Sequence, residues 1–205
     1  PAVAGVLVST VGLASCFYIN SFSFLAPLIA LTLLHYQPVV HAAEGSALER
    51  LVEGFRYIWA HRHLLILISI VAMVSLFGLP YLVFLPVFAR DVLGVGARGL
   101  GYMLSASGGG ALLGALVLAS WPAGRRRGPL VLAGTLLFFA AVLVLALSRN
   151  FSLSLAALVV TGGAMVCSVA TVNSLIQTLV PDAVRGRVLS MHTMAYLGFS
   201  PLGSL

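Results

Sequence analysis

LLILISIVAMVSLFGLPYLVFLPVF, residues 64–88, decides the fold. No charge interrupts it, and at about 1.5 Å of rise per residue a helix of this length exceeds the roughly 30 Å of hydrocarbon in a bilayer. Gly78, Pro80 and Pro86 break its regularity. Proline gives up a backbone donor and crowds the carbonyl four residues back, so a kink is expected near Leu76 to Leu82. Tyr81, beside that kink, either faces a cavity or anchors at the outer interface.

The rest of the chain repeats the pattern. Runs of comparable apolarity cover Ala14–Leu34, Gly99–Ser120, Pro129–Leu147 and Leu153–Val180, within a composition that is 60% hydrophobic. Eleven arginines, no lysine and five acidic residues fall almost entirely in the gaps. The first residues (Val3–Leu13) and the last (Val188–Leu205) are also apolar. The expectation is five complete spans and two partial ones in a piece of a larger chain, with no signal peptide at Pro1. The class is an all-α membrane protein, a multi-span helical bundle. A net charge of +6 does not imply nucleic acid, because the arginines are distributed between spans rather than gathered on one face. Cys16 and Cys167 lie within runs and are expected to be inert thiols rather than a disulfide framework.

Counting arginines gap by gap gives an orientation. Arg50, Arg56, Arg62, Arg125, Arg126, Arg127, Arg185 and Arg187 fall on one side, and Arg90, Arg98 and Arg149 on the other. The positive-inside rule places the first set in the cytoplasm.

Within the longest gap, Leu48, Leu51, Val52, Phe55, Ile58 and Trp59 recur at helical spacing, with Glu49, Arg50, Glu53 and Arg56 opposite. An amphipathic helix over 47–62 is expected on the cytoplasmic membrane face. It starts at a Ser46–Glu49 capping box and carries a Glu53–Arg56 pair. It either spaces two bundles or serves as a gating or partner-binding element.

Three features inside the runs call for a reason in lipid. Gly110 and Gly114 make a small-xxx-small pair near Ser105, Ser107, Gly108 and Gly109, suited to close helix crossing, static or sliding. Gly163, Cys167, Thr171, Ser174 and Thr178 form a weakly polar stripe, with Asn173 and Gln177 on the opposite side of the same helix. One face is expected to pack against neighbours and the other to line a cavity; the sequence leaves open which. His192 is the one imidazole in an apolar run and is expected to be structural.

No acid or arginine lies inside a complete span, so no intramembrane proton relay is assigned. His61 and His63 flank Arg62 without the Cys or carboxylate company of a metal site. No nucleophile elbow, P-loop, CxxC or HExxH occurs. These absences lead to an expectation of no enzyme, no cofactor and no metal.

Four blocks carry a resemblance: FYINSFSF (17–24), FGLPYLVFLPVFARDVLG (77–94), VPDAVRGRV (180–188) and GFSPLGS (198–204). In this order they resemble the major facilitator superfamily, and within it the bacterial exporter branch of enterobactin-exporter-like and macrolide-efflux-like proteins, along essentially the whole chain. The resemblance implies a partial major facilitator fold, about seven spans of an expected twelve. Residues 1–34 would end the first six-helix half, 35–63 would be the cytoplasmic linker holding the amphipathic helix, and 64–205 would be the second half, truncated in its fifth span. Gly110 to Gly114 followed by Arg125, Arg126, Arg127 and Gly128 is similar to the family's cytoplasmic loop motif, but lacks an Asp before the arginines.

The implied function is secondary active efflux of a small hydrophobic or amphipathic molecule by alternating access, coupled to protons, across the inner (plasma) membrane. The alternative is a non-transporting membrane scaffold. The implied partners are the lipid bilayer, the small-molecule substrate and protons, with no nucleic acid. Substrate-cavity candidates are Asn20, Tyr81, Ser107, Thr171, Asn173 and Gln177. Gating candidates are Gly110, Gly114, Arg125, Arg126, Arg127, Asp182, Arg185 and Arg187, the last two expected to form forked guanidinium hydrogen bonds at a closed inner gate.

Overall fold

A computed structural model of the chain describes residues 14–15, 17–34, 47–122 and 127–205. The predicted capping residue Ser46 and the loop arginines Arg125 and Arg126 lie outside the described residues. Every regular element among the described residues is helical, as the apolar runs require in lipid, where backbone polar groups must be satisfied within the segment. Residues 1–45 and 46–205 form two compact units.

In the first unit, α1 (Leu25–Leu33) ends an apolar helical stretch, Phe17–Leu33, that is broken by a turn at Phe24. Pro27 has no N–H for the Ser23 carbonyl, and Ser23 Oγ donates to the Asn20 carbonyl at 2.6 Å. Both effects loosen the helix there.

The second unit opens with α2 (Ala47–Ala60). After a break at His61, an apolar span runs from Arg62 to Val92. It comprises α3 (Arg62–Met73), a π segment (Val74–Gly78), α4 (Tyr81–Val87) and a second π segment (Phe88–Val92). The expected kink is therefore a widening of the helix on either side of the two prolines. Leu79 N bonds to the Val74 carbonyl at 2.9 Å and Leu93 N to the Phe88 carbonyl at 3.1 Å, each spanning five residues instead of four. Gly94 (φ 64°) and Gly96 (φ 60°) make the turn that follows, a conformation only glycine adopts without strain.

Three more spans follow: α5 (Gly96–Ala119), α6 (Gly128–Leu147) and α7 (Phe151–Leu179). Asn150 caps α7, its Oδ1 accepting from Ser152 N at 2.9 Å and Leu153 N at 3.3 Å. The α7 helix stops before Pro181, and α8 (Asp182–Gly198) and the short α9 (Ser200–Gly203) complete the unit.

The helix α7 is the centre, with α5 along one side and α6 along another; α8 lies against α2 and α3. One buried cluster, including Leu67, Val71, Val172, Ile176 and Val188, joins the Arg62 end of α3 to α7 and α8. A second, including Leu85, Met103 and Leu158, joins α4 to α5 and α7. Large apolar side chains elsewhere, such as Leu116, Leu136 and Leu143, are exposed. That pattern suits a protein whose outer surface meets lipid, where small residues rather than apolar bulk set helix association.

Candidate functional site

The two polar faces of α7 have different surroundings. On the stripe side, Thr171 and Ser168 are fully buried. Ser168 Oγ lies 2.7 Å from Thr135 Oγ1 of α6, Cys167 Sγ is 3.5 Å from the Gly114 carbonyl of α5, and Ser174 accepts from the Arg127 guanidinium. Thr171 donates to the Cys167 carbonyl of its own helix. The stripe is therefore packed as far as Thr171, while Ser174 is half-buried and Thr178, bonded only to carbonyls of its own helix, is exposed. On the other side, Asn173 is half-buried and Gln177 exposed, and Gln177 Nε2 donates to Asn173 Oδ1 at 2.6 Å. The two amides satisfy part of their hydrogen-bonding capacity with each other and leave the rest uncovered.

The α5–α7 contact is backbone on backbone. A Cβ added at Gly110 would sit 1.9 Å from the Val159 carbonyl oxygen, at Gly114 2.4 Å from that of Gly163, and at Gly162 2.0 Å from that of Ser107. Gly108 and Gly109 have nothing within 4 Å. The small-xxx-small pair is thus half of a reciprocal glycine crossing, of which Gly162 and Gly163 are the other half.

Tyr81 is turned inward among the helices. Its hydroxyl is 3.3 Å from Ser107 Oγ, its ring meets Phe138 edge-on at 6.3 Å, and it lines a cavity of about 190 Å³ with Phe84, Leu85 and Val142. Tyr81 and Ser107, named separately as cavity candidates, are brought together, while Asn173 and Gln177 form a second pair. Asn20 belongs to the first unit.

At the end predicted to be cytoplasmic, Asp182 Oδ1 accepts from Arg185 Nη1 at 2.6 Å, and Arg185 Nη2 donates to the Val180 carbonyl at 3.1 Å. Arg185 therefore makes two bonds, one to a carboxylate and one to a backbone carbonyl. Arg187 engages the Glu53 carboxylate of α2 through Nη1 alone. This corrects two readings: Glu53 pairs with Arg187 rather than Arg56, and the Arg187 contact is single. The reason is tertiary. The α8 helix packs beside Gly54, where an added Cβ would be in ordinary contact with Arg187 Cβ at 3.5 Å, and this puts Glu53 within reach of α8. Of the predicted apolar face of α2, Ile58 is buried while Leu51, Val52, Phe55 and Trp59 are exposed, Phe55 stacking on Trp59 at 5.7 Å.

Sequence reasoning missed the Arg127–Ser174 bond, and no local signal connects positions so far apart. It also missed α9. Pro80 cannot donate to the Leu76 carbonyl, and a Cβ at Gly203 would lie 1.8 Å from that oxygen. The free carbonyl and the glycine were each visible in the sequence; their meeting was not.

Among the described residues, no group of three or more His, Cys, Asp or Glu is placed to hold a metal ion. A family model described as transmembrane secretion effector matches residues 1–205. Neither the curated proteins nor the solved structures contain a significant match.

Proposed function

We propose, from the premise that the chain belongs to the transmembrane secretion effector family of the major facilitator superfamily, that it exports a small hydrophobic or amphipathic molecule across the plasma membrane by proton-driven alternating access. The observation that carries this reading is the uncovered amide pair on α7. Asn173 and Gln177 lie in the last two turns of the apolar span Phe151–Leu179, and two amides turned toward hydrocarbon there would be costly. A water-filled path between two halves satisfies them, and such a path at the repeat interface is where a secondary transporter holds its substrate. The kinked span adds apolar surface for an amphipathic ligand, since Tyr81 and Phe84 line its small cavity with one hydroxyl among rings.

Alternating access needs one part of a half to stay rigid while another opens. The glycine crossing of α5 on α7 supports the first role. The second suits the exposed Asp182–Arg185 and Glu53–Arg187 pairs, because solvent-exposed ion pairs contribute about 0–1 kcal/mol each and break easily. Gating by Arg125 and Arg126 belongs to the same proposal.

The test uses the full-length transporter in liposomes with an imposed proton gradient and ethidium as probe. Gradient-dependent accumulation that collapses with a protonophore supports the reading. Dye movement indifferent to the gradient ends the proton-driven part, and no movement of ethidium or of a panel of amphipathic dyes favours the scaffold alternative.

A further inference from the structure

His192 sits one turn from both Val188 and Ala195 on the inner face of α8, with 5% of its surface exposed. Its Nε2 is buried and has no hydrogen-bond partner among the described residues. Buried polar atoms are overwhelmingly paired, so an orphaned imidazole nitrogen calls for a reason. The face it shares packs into the cluster of Leu67, Val71, Val172 and Ile176, contributed by α3 and α7.

No carboxylate lies among those buried residues. The titratable groups packed against the cluster are Tyr57 of α2 and Tyr196 of α8 itself, both partly buried. On α3, Arg62 and His63 occupy the exposed start; the π segment presents Ser75, which is bonded to the Tyr196 carbonyl at 2.7 Å. Tyr81 of α4 is turned to Ser107. The α7 helix has only Cys167, bonded toward Gly114, and α6 has none. Glu53, Arg56, His61, Asp182, Arg185 and Arg187 lie at the exposed or part-exposed end. Nothing in the packed arrangement compensates an imidazolium.

We propose that His192 is a proton-binding site whose occupancy sets how firmly α8 is seated on α3 and α7. Neutral, the ring fits the apolar cluster at the cost of one unmet bond. Protonated, it has two donors and a full charge, which only water can satisfy, so the charged form favours an arrangement in which α8 parts from the cluster and water reaches Nε2. Proton binding and helix separation are then linked, each favouring the other. Proton-driven export gives this linkage its use and so rests on the function proposed above, but the linkage is measurable without any substrate.

The experiment takes the purified full-length protein in detergent with every native cysteine, Cys16 and Cys167 included, replaced by alanine. Ala195→Cys, one turn from the imidazole, is labelled with a methanethiosulfonate reagent between about pH 8 and about pH 5.5, the range in which histidine titrates. Rates are divided at each pH by those of a Gly186→Cys reference at the exposed turn, which cancels the thiol's own pH dependence. The expected result is a relative rate that rises several-fold as pH falls with His192 intact and stays flat in His192→Asn or His192→Gln. A flat profile with His192 intact overturns the proposal even if neither variant folds, and so does a rise that persists in either variant. Ethidium transport without proton coupling would remove the functional reading and leave this result standing.

Discussion

The two polar faces of α7 use similar residues for opposite ends. Ser168 and Ser174 are small hydroxyls tied to α6 and to Arg127, so they join α7 to its neighbours, while Thr171 is spent on its own helix. Asn173 and Gln177 have larger amides bonded to each other and uncovered. A polar residue in a membrane span is thus not a site by virtue of polarity; what matters is whether a neighbouring helix consumes its hydrogen bonds. The packed face is also the close one. Gly163 lies on it, and its carbonyl is what a Cβ at Gly114 would strike.

The largest expected effect tests the packed side. Gly110→Leu places carbon inside the Val159 backbone, so the helices must separate, at a cost of about 3 kcal/mol or more. Gly108→Leu on the open face of the same helix should shift stability by no more than about 0.5 kcal/mol. Thermal unfolding monitored by size-exclusion chromatography compares them, and equal tolerance would mean that α5 and α7 do not cross as described.

Next comes the uncovered face. Asn173→Ala with Gln177→Ala should lower gradient-driven ethidium transport by about tenfold, the loss of roughly 1.4 kcal/mol of interaction with substrate or water, while leaving unfolding temperature unchanged. A matched loss of stability would reassign the amides to packing.

Ser168→Ala is the converse variant. It removes the 2.7 Å contact with Thr135 and should cost about 0.6–1 kcal/mol in stability with little change in transport.

The smallest effect is at the exposed end. Arg187→Lys keeps a charge that can reach Glu53 with one nitrogen and should be close to silent. Arg185→Lys forfeits one of two bonds, to Asp182 or to the Val180 carbonyl, and should slow transport measurably. Equal rates for the two variants would show that forking is irrelevant there.

Four of the five expected complete spans, the kink and the existence of two faces on α7 were legible because periodicity and proline chemistry act locally; the fifth, Ala14–Leu34, is described only as the shorter apolar helix Phe17–Leu33. Which face packs was not, because that depends on where α5 and α6 lie. Local spacing favoured a Glu53–Arg56 pair, and tertiary approach at Gly54 replaced it with Glu53–Arg187. The paired π segments escaped detection for a related reason: a proline shows that a bond is missing, not how the helix redistributes the remaining ones. Pro27 was open to the same argument as Pro80, and the turn at Phe24 lies just before it.

We propose that the Asn173–Gln177 face lines the aqueous path, and cysteine accessibility tests this most directly. In the full-length transporter with every native cysteine replaced, Cys16 and Cys167 included, Gln177→Cys in membranes open on both sides should react with a water-soluble thiol reagent, and ethidium should slow the reaction. Thr171→Cys, one and a half turns away on the packed face, should stay unreactive. No labelling at Gln177→Cys in any condition, while Gly186→Cys labels freely, would contradict the account and put the amides against lipid or another helix.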